Sequence, residues 1–175
     1  MTEGWAQGDG STTDRAWLAD WRRRAFQAAH FEHDPNLRFN VVVEPAPPAA
    51  LGAFALELPD SGPGSLAFSR IGRIAIPFPE GTHSLAVFWM AGYAGGLFIP
   101  FRDATNGSET YDAGRYLVDA AKGADLGGDP ASSTIIVDFN FAFQPSCAFD
   151  ARWACPLAPP ENHLDLPIRA GERRA

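Results

Sequence analysis

From Asp14 onward, apolar residues return at helical spacing. Trp17, Trp21, Ala25 and Ala28, with Leu18 beside them, leave Arg15, Arg22, Arg23 and Gln27 on the opposite face. The spacing predicts one amphipathic α-helix over 14–33, capped by Thr13 or Asp14 and ended before Pro35, which disfavours helical geometry at Asp34. Beyond it the period drops to two. Leu37, Phe39, Val41 and Val43 alternate with Arg38, Asn40 and Glu44, a strand stopped by Pro45, Pro47 and Pro48. A second strand is predicted where Phe54, Leu56 and Leu58 alternate with Ala53, Ala55 and Glu57, and others over 71–78, 84–90, 97–101, 115–119 and 164–168, with a helical turn from Val118 to Lys122 as the alternative at the end of 115–119. The clearest alternation runs over 135–143. Its odd positions Ile135, Val137, Phe139, Phe141 and Phe143 are large and apolar, while Asp138, Asn140 and Gln144 stand on the other face.

About seven or eight short strands at this spacing favour an antiparallel β-barrel or sandwich over a βαβ fold. The expected organisation is a flexible tail over 1–13 and a single mainly β domain over 14–175, with the helix at its start. The 17 glycines and 15 prolines, spread along 175 residues, suit short strands joined by turns. Hydrophobic content of 46% excludes wholesale disorder.

Charge narrows the partners. The net charge is −7 and Lys122 is the only lysine, a balance that a phosphate backbone repels, so nucleic-acid binding is not expected. The basic run Arg22 to Arg24 reads as a solvated helix face or as a local contact with an anionic partner. No secretory signal is visible over Met1 to Asp14, and no apolar run reaches the roughly 18 residues that span a bilayer. The expectation is a cytoplasmic, membrane-free protein with reduced thiols. Walker A, GxGxxG, GxSxG and HExxH motifs are missing from the chain, and no cofactor is evident.

The candidate chemistry gathers between Phe101 and Glu172. Arg115 has Gly114 before it and Tyr111 and Tyr116 near it, an arrangement suited either to clamping an anion or to an internal pair with Asp138, Glu109 or Asp103. Asp138 and Glu109 are the candidate general bases, and their roles depend on burial. Asp103 and Asn106 read as turn residues before Gly107. Asp138 and Asn140 are poor strand formers inside a strong strand, so they need partners, either solvent or a pocket. Glu161 and Asn162, after Pro159 and Pro160, can cap backbone or reach a ligand. Cys147 and Cys155 read as two buried thiols or a bridge, or as a reactive thiol activated by a cation such as Arg152. With His163 and Glu161 nearby they also make a chemically admissible zinc set, although the spacing is not that of a zinc knuckle. His30 and His33 lack ligand company.

The strings FRDATNGSETYDAGRYL (101–117) and DFNFAFQPSCAF (138–149), followed by CP (155–156), PPEN (159–162) and AGE (170–172), resemble the signatures of the domain of unknown function 1684 family. The likeness covers roughly residues 96–172. Gln144 stands where the family more often has asparagine, Phe141 replaces a frequently basic position, and the N-terminal region looks shortened. The resemblance implies a β-rich domain and supplies no reaction.

Three functional readings follow. The first is a pocket lined by Arg115, Tyr111, Asp138 and Asn140, with Glu161 and Asn162 near, that holds a small polar or anionic molecule. The second is an enzyme using that pocket, with Asp138 or Glu109 as base. The third is a structural or partner-binding module whose signature residues satisfy one another.

Overall fold

The computed structural model describes residues 19–20, 23, 25, 27–47, 67–91, 96–119, 124–151, 153 and 155–174. Among them are nine strands: β1 (Ala29–His30), β2 (Arg38–Pro45), β3 (Ala67–Phe78), β4 (Gly81–Ala91), β5 (Gly96–Phe101), β6 (Arg115–Asp119), β7 (Gly128–Asp129), β8 (Thr134–Asp138) and β9 (Glu172–Arg173). Seven form one antiparallel sheet in the order β6-β5-β4-β3-β2-β8-β7, and β1 pairs with β9. The sheet curls into a half-barrel. Just past β8, Phe143 exchanges backbone hydrogen bonds with Tyr116 of β6 at 2.9 and 3.1 Å, so the two sides of the sheet meet.

Alternation decides which side chains fill the curl. Val41, Ile74, Ile76, Leu85, Val87, Ile99, Leu117 and Val137 pack inside it. A second cluster, Phe68, Ala86, Phe88, Met90, Phe98 and Tyr116, covers the other face, so β4 and β5 are buried on both sides. In β3 the register slips between Arg70 and Gly72. One extra residue exchanges the faces, which explains why Phe68 joins one cluster while Ile74 and Ile76 join the other. Gly72 is required there, because a Cβ would lie 2.4 Å from the Glu44 carbonyl oxygen.

One end of the curl is plugged by aromatic rings. Phe39, Phe78, Phe101 and Phe139 meet at centroid distances of 5.4 to 6.3 Å, three of the four pairs edge to face. This end is the floor. The opposite end, where β2 finishes and β3, β5 and β8 begin, is the mouth.

The mainly β, antiparallel, barrel-like expectation holds. Other expectations are corrected. No described element is an α-helix. Much of 14–33 lies outside the described residues, although Ala19, Asp20, Arg23 and Ala25 have helical backbone. The far end is extended, with Ala29–His30 paired to Glu172–Arg173, because β9 offers backbone partners that a helix there would forgo. The predicted strand around Phe54 also lies outside the described residues. The strand expected over 135–143 ends at Asp138. Its carboxylate accepts from the Asn140 N–H at 3.0 Å and starts a 3-10 turn over Phe139–Phe141, which leaves Phe141 51% exposed. No strand forms over 164–168: the Leu164 N–H and the Leu166 carbonyl make single backbone hydrogen bonds to Arg102 and Ala104, and the Ile168 carbonyl turns to the Arg115 side chain. No helix of the described residues is long and apolar enough to cross a membrane.

Candidate functional site

Arg115 opens β6 with its side chain fully enclosed on the floor. Its Nη2 donates to Asp103 Oδ2 at 2.9 Å and to the Ile168 carbonyl at 2.7 Å. Its Nη1 donates to the Ala170 carbonyl at 2.5 Å and to that of Glu172 at 3.1 Å. The guanidinium carbon lies 5.2 Å from the centre of the Phe101 ring. Burial pulls the guanidinium below its ordinary pKa, and Asp103 and then Glu172 oppose that pull. Nε has no acceptor. The fork therefore straps the irregular C-terminal segment to β6, using the geometry that makes arginine suited to several acceptors at once.

Asp103 is tied from its other side. Oδ1 accepts from the Thr105 N–H and hydroxyl at 2.8 and 2.5 Å and from the Ile168 N–H at 3.3 Å. The Thr105 and Thr110 hydroxyls are 2.8 Å apart. Asn106 accepts from the Asp103 N–H and donates to Thr110 and to the Tyr111 carbonyl. The 102–114 connection is thus a folded turn closed by its own polar side chains. Of the partners weighed for Arg115, Asp103 is the one it meets, and no contact joins Arg115 to Asp138 or Glu109.

The other expected pocket residues lie apart from it. Asp138, buried, pairs with Arg38 across β2 and β8 at 2.9 Å, while Asn140 clasps the backbone of Asp34 through both its amide oxygen and nitrogen. Asn162 is buried in a 3-10 turn and bridges β4 and β5, donating to the carbonyls of Ala86 and Pro100 and accepting from the Ala86 N–H at 2.7 Å. Glu161 pairs with Arg70 at 2.9 Å on the outside. Glu109 is exposed against Arg169, whose hydrogen bond holds the carboxyl below its ordinary range and makes it a weak base. These residues are staples between elements, each with its own partners. The pocket of Arg115, Tyr111, Asp138 and Asn140 does not form as a unit.

Tyr111 belongs to a different group. Its hydroxyl hydrogen-bonds with Cys147, and Cys147 in turn with Cys155, whose sulfur accepts from the Cys147 N–H at 3.3 Å. Both thiols are half-buried against Trp153. The Cys155 hydrogen bond holds the Cys147 thiol down at about 7 against burial, helped by Tyr111 and by the backbone at Cys147 and Ala148. Burial first, and then Cys147, push Tyr111 up to about 12. Arg152, the cation considered as an activator, lies outside the described residues. His163 is exposed on the chain beside Arg102, and no group of three potential metal ligands converges among the described residues, so the Cys147, Cys155 and His163 set is not assembled.

A cleft of about 490 Å³ opens at the mouth. Val43, Ile71, Leu97 and Ile135 give it an apolar wall, and Asp125 and Asp129 stand on its rim. Sequence reading missed these residues. Their one visible signal was the polar, glycine-rich connection before Ser133, which carries the rim.

A family profile described as a protein of unknown function, DUF1684, matches residues 25–173. The chain belongs to the DUF1684 family. Membership covers β1 to β9, and so extends well beyond the C-terminal signatures. The chain is also similar to the solution NMR structure of the uncharacterized protein from gene locus rrnAC0354 of Haloarcula marismortui. The TM-score is 0.62 at 24% identity, over 92% of this chain and 96% of that one. At that identity the likeness is one of fold. No curated protein matches the sequence. The DUF1684 signatures therefore map, for the most part, onto the floor and its staples.

Proposed function

We propose that this DUF1684 protein binds a small, mainly apolar molecule in the cleft at the mouth of its half-barrel. The observation that carries the reading is the cleft itself. Its volume of about 490 Å³ falls in the range of small-molecule sites, and an apolar wall with a few polar groups is the usual composition of such sites. The anionic ligand first expected loses its clamp, since every partner of Arg115 is internal. The rim carries Asp125 and Asp129, and hydrogen bonds from Ser132 and then Ala131 hold Asp129 below its ordinary pKa. A ligand with an amine or another donor at one end fits that rim, and a carboxylate is repelled.

Matched series of alkylamines and alkanoates, screened by thermal shift, test the idea. Ligands that bind the folded chain raise its melting temperature by mass action. Amines are expected to stabilise and carboxylates not, with Leu97→Trp, which fills the wall, abolishing the shift. Equal shifts from both series, no shift from either, or an undiminished shift in Leu97→Trp would sink the proposal.

A second reading draws on the buried Arg115–Asp103 network: a scaffold whose signature residues serve folding alone. It explains the floor and leaves the mouth without a role.

A further inference from the structure

We propose that Cys147 and Cys155 are a redox-active dithiol that low-molecular-weight disulfides oxidise to an intramolecular disulfide. The site shares no residue with the cleft, so it stands or falls independently of ligand binding there.

The fold has already brought the sulfurs together. Cys147 sits in the 3-10 turn Ser146–Ala148, and the chain then folds back through hydrogen bonds from the N–H groups of Phe149 and Asp150 to the Ser146 carbonyl and from Trp153 to that of Asp150. Those bonds return Cys155 to within 3.3 Å of the Cys147 N–H and into hydrogen-bond contact with its thiol. Both cysteines are half-buried rather than enclosed in the core, which leaves the pair open to test with a small disulfide. The groups facing them are Tyr111, bonded to Cys147, and Tyr116, bonded to Cys155, with Asp112 and Asp119 acting on those tyrosines from further out. Tyr116 is itself fixed by its hydroxyl donating to the Pro156 carbonyl at 2.9 Å.

This arrangement assigns the roles. The Cys147 thiolate, accepting from Cys155 and Tyr111, attacks one sulfur of the external disulfide. That S–S bond breaks, a mixed disulfide forms on Cys147, and a thiolate leaves. Cys155 gives its proton to the departed thiolate and attacks the Cys147 sulfur, expelling the second external sulfur as thiolate. Two electrons pass from the cysteines to the reagent, which ends as one thiol and one thiolate. Lowering a thiol from its ordinary value to about 7 raises its thiolate fraction at neutral pH roughly fiftyfold and lowers its nucleophilicity roughly eightfold, a net gain of about sixfold.

The test uses the whole folded chain and glutathione disulfide at neutral pH, followed by intact mass and peptide mapping. The wild-type chain should lose the mass of two hydrogen atoms and yield a Cys147–Cys155 cross-link. Cys155→Ser should stop at a mixed disulfide on Cys147, and Cys147→Ser should react about sixfold more slowly. The wild-type arm decides even if a variant misfolds. A stable mixed disulfide on the wild-type chain, thiols that react only after denaturation, or equal rates for the wild-type chain and Cys147→Ser would overturn the proposal.

Discussion

Arg115→Met separates a scaffold arginine from a ligand clamp. Methionine keeps much of the aliphatic contact with Phe101 but removes the charge and four hydrogen bonds. Asp103 is then left buried without its cation, and breaking one side of a buried pair costs about 3–5 kcal/mol. The carbonyls of Ile168, Ala170 and Glu172 lose a charged donor, a further cost of about 1 kcal/mol or more each if nothing replaces it. These terms are not additive, because Asp103 keeps its hydrogen bonds from Thr105 and the Ile168 N–H. A total of about 4–7 kcal/mol follows, against about 5–15 kcal/mol for a whole domain. Urea unfolding followed by circular dichroism measures it. With a slope of about 2 kcal/mol per molar, the midpoint should fall by about 2–3.5 M. Arg115→Lys keeps the charge and loses the fork, so it should fall between the two. A clamp predicts the opposite, since an arginine held for an absent ligand stabilises nothing. A drop below about 0.5 M in Arg115→Met would refute the scaffold assignment.

Asn162→Ala strips the Ala86 N–H and the carbonyls of Ala86 and Pro100 of a shared buried partner, and a melting temperature lower by about 5–10 °C is expected in calorimetry. Gly171→Ala places a Cβ 2.3 Å from the Ala142 carbonyl oxygen at a φ of +73°, so the variant should be recovered unfolded or insoluble, as judged by gel filtration. Stability should also depend on Cys147. Its folded pKa, about 7, lies below the ordinary 9.0, so the increment it contributes is complete above pH 9 and disappears as pH falls through 7. The difference in urea midpoint between wild type and Cys147→Ser, with Tyr111, Tyr116 and Cys155 kept, should therefore grow from pH 6 to pH 9; a flat difference would contradict the hydrogen-bonded thiolate.

Short apolar runs bounded by glycine or proline were readable from the chain. β2, β4, β5 and β6 fall close to their expected positions, because short segments rich in Val, Ile and Phe have few other ways to be buried. The failures share a cause. At Asp138 a local side-chain hydrogen bond to the Asn140 N–H competes with the ladder, and the 3-10 turn wins despite the phenylalanines beyond it. Over 164–168 the apolar spacing is genuine, since Leu164 and Ile168 are buried, but the backbone is satisfied partly on the 102–104 connection and, at Ile168, on the Arg115 side chain, which no period records. The cleft was invisible for a simpler reason. Val43, Ile71, Leu97 and Ile135 are ordinary core-type residues in sequence, and only the curl of the sheet leaves them at an opening. The thiol pair was legible as two cysteines. Its contact with Tyr111 was not.

The two ends of the half-barrel place different demands on their residues, and that difference can be measured. At the floor, Arg115, Asp103 and Asn162 aim donors and acceptors at particular backbone atoms, so a change of shape leaves buried polar groups unpaired. At the mouth, Val43, Leu97 and Ile135 present apolar surface with little directional content, and volume matters more than identity. Floor substitutions should therefore change stability and leave the relative order of ligand affinities intact. Exchanges such as Val43→Ile or Ile135→Val should do the reverse, shifting the preferred chain length of an amine series while changing stability by only about 1 kcal/mol. If floor variants that still fold reorder the amines, ligand and floor communicate, and the polar signature does more than hold the barrel shut.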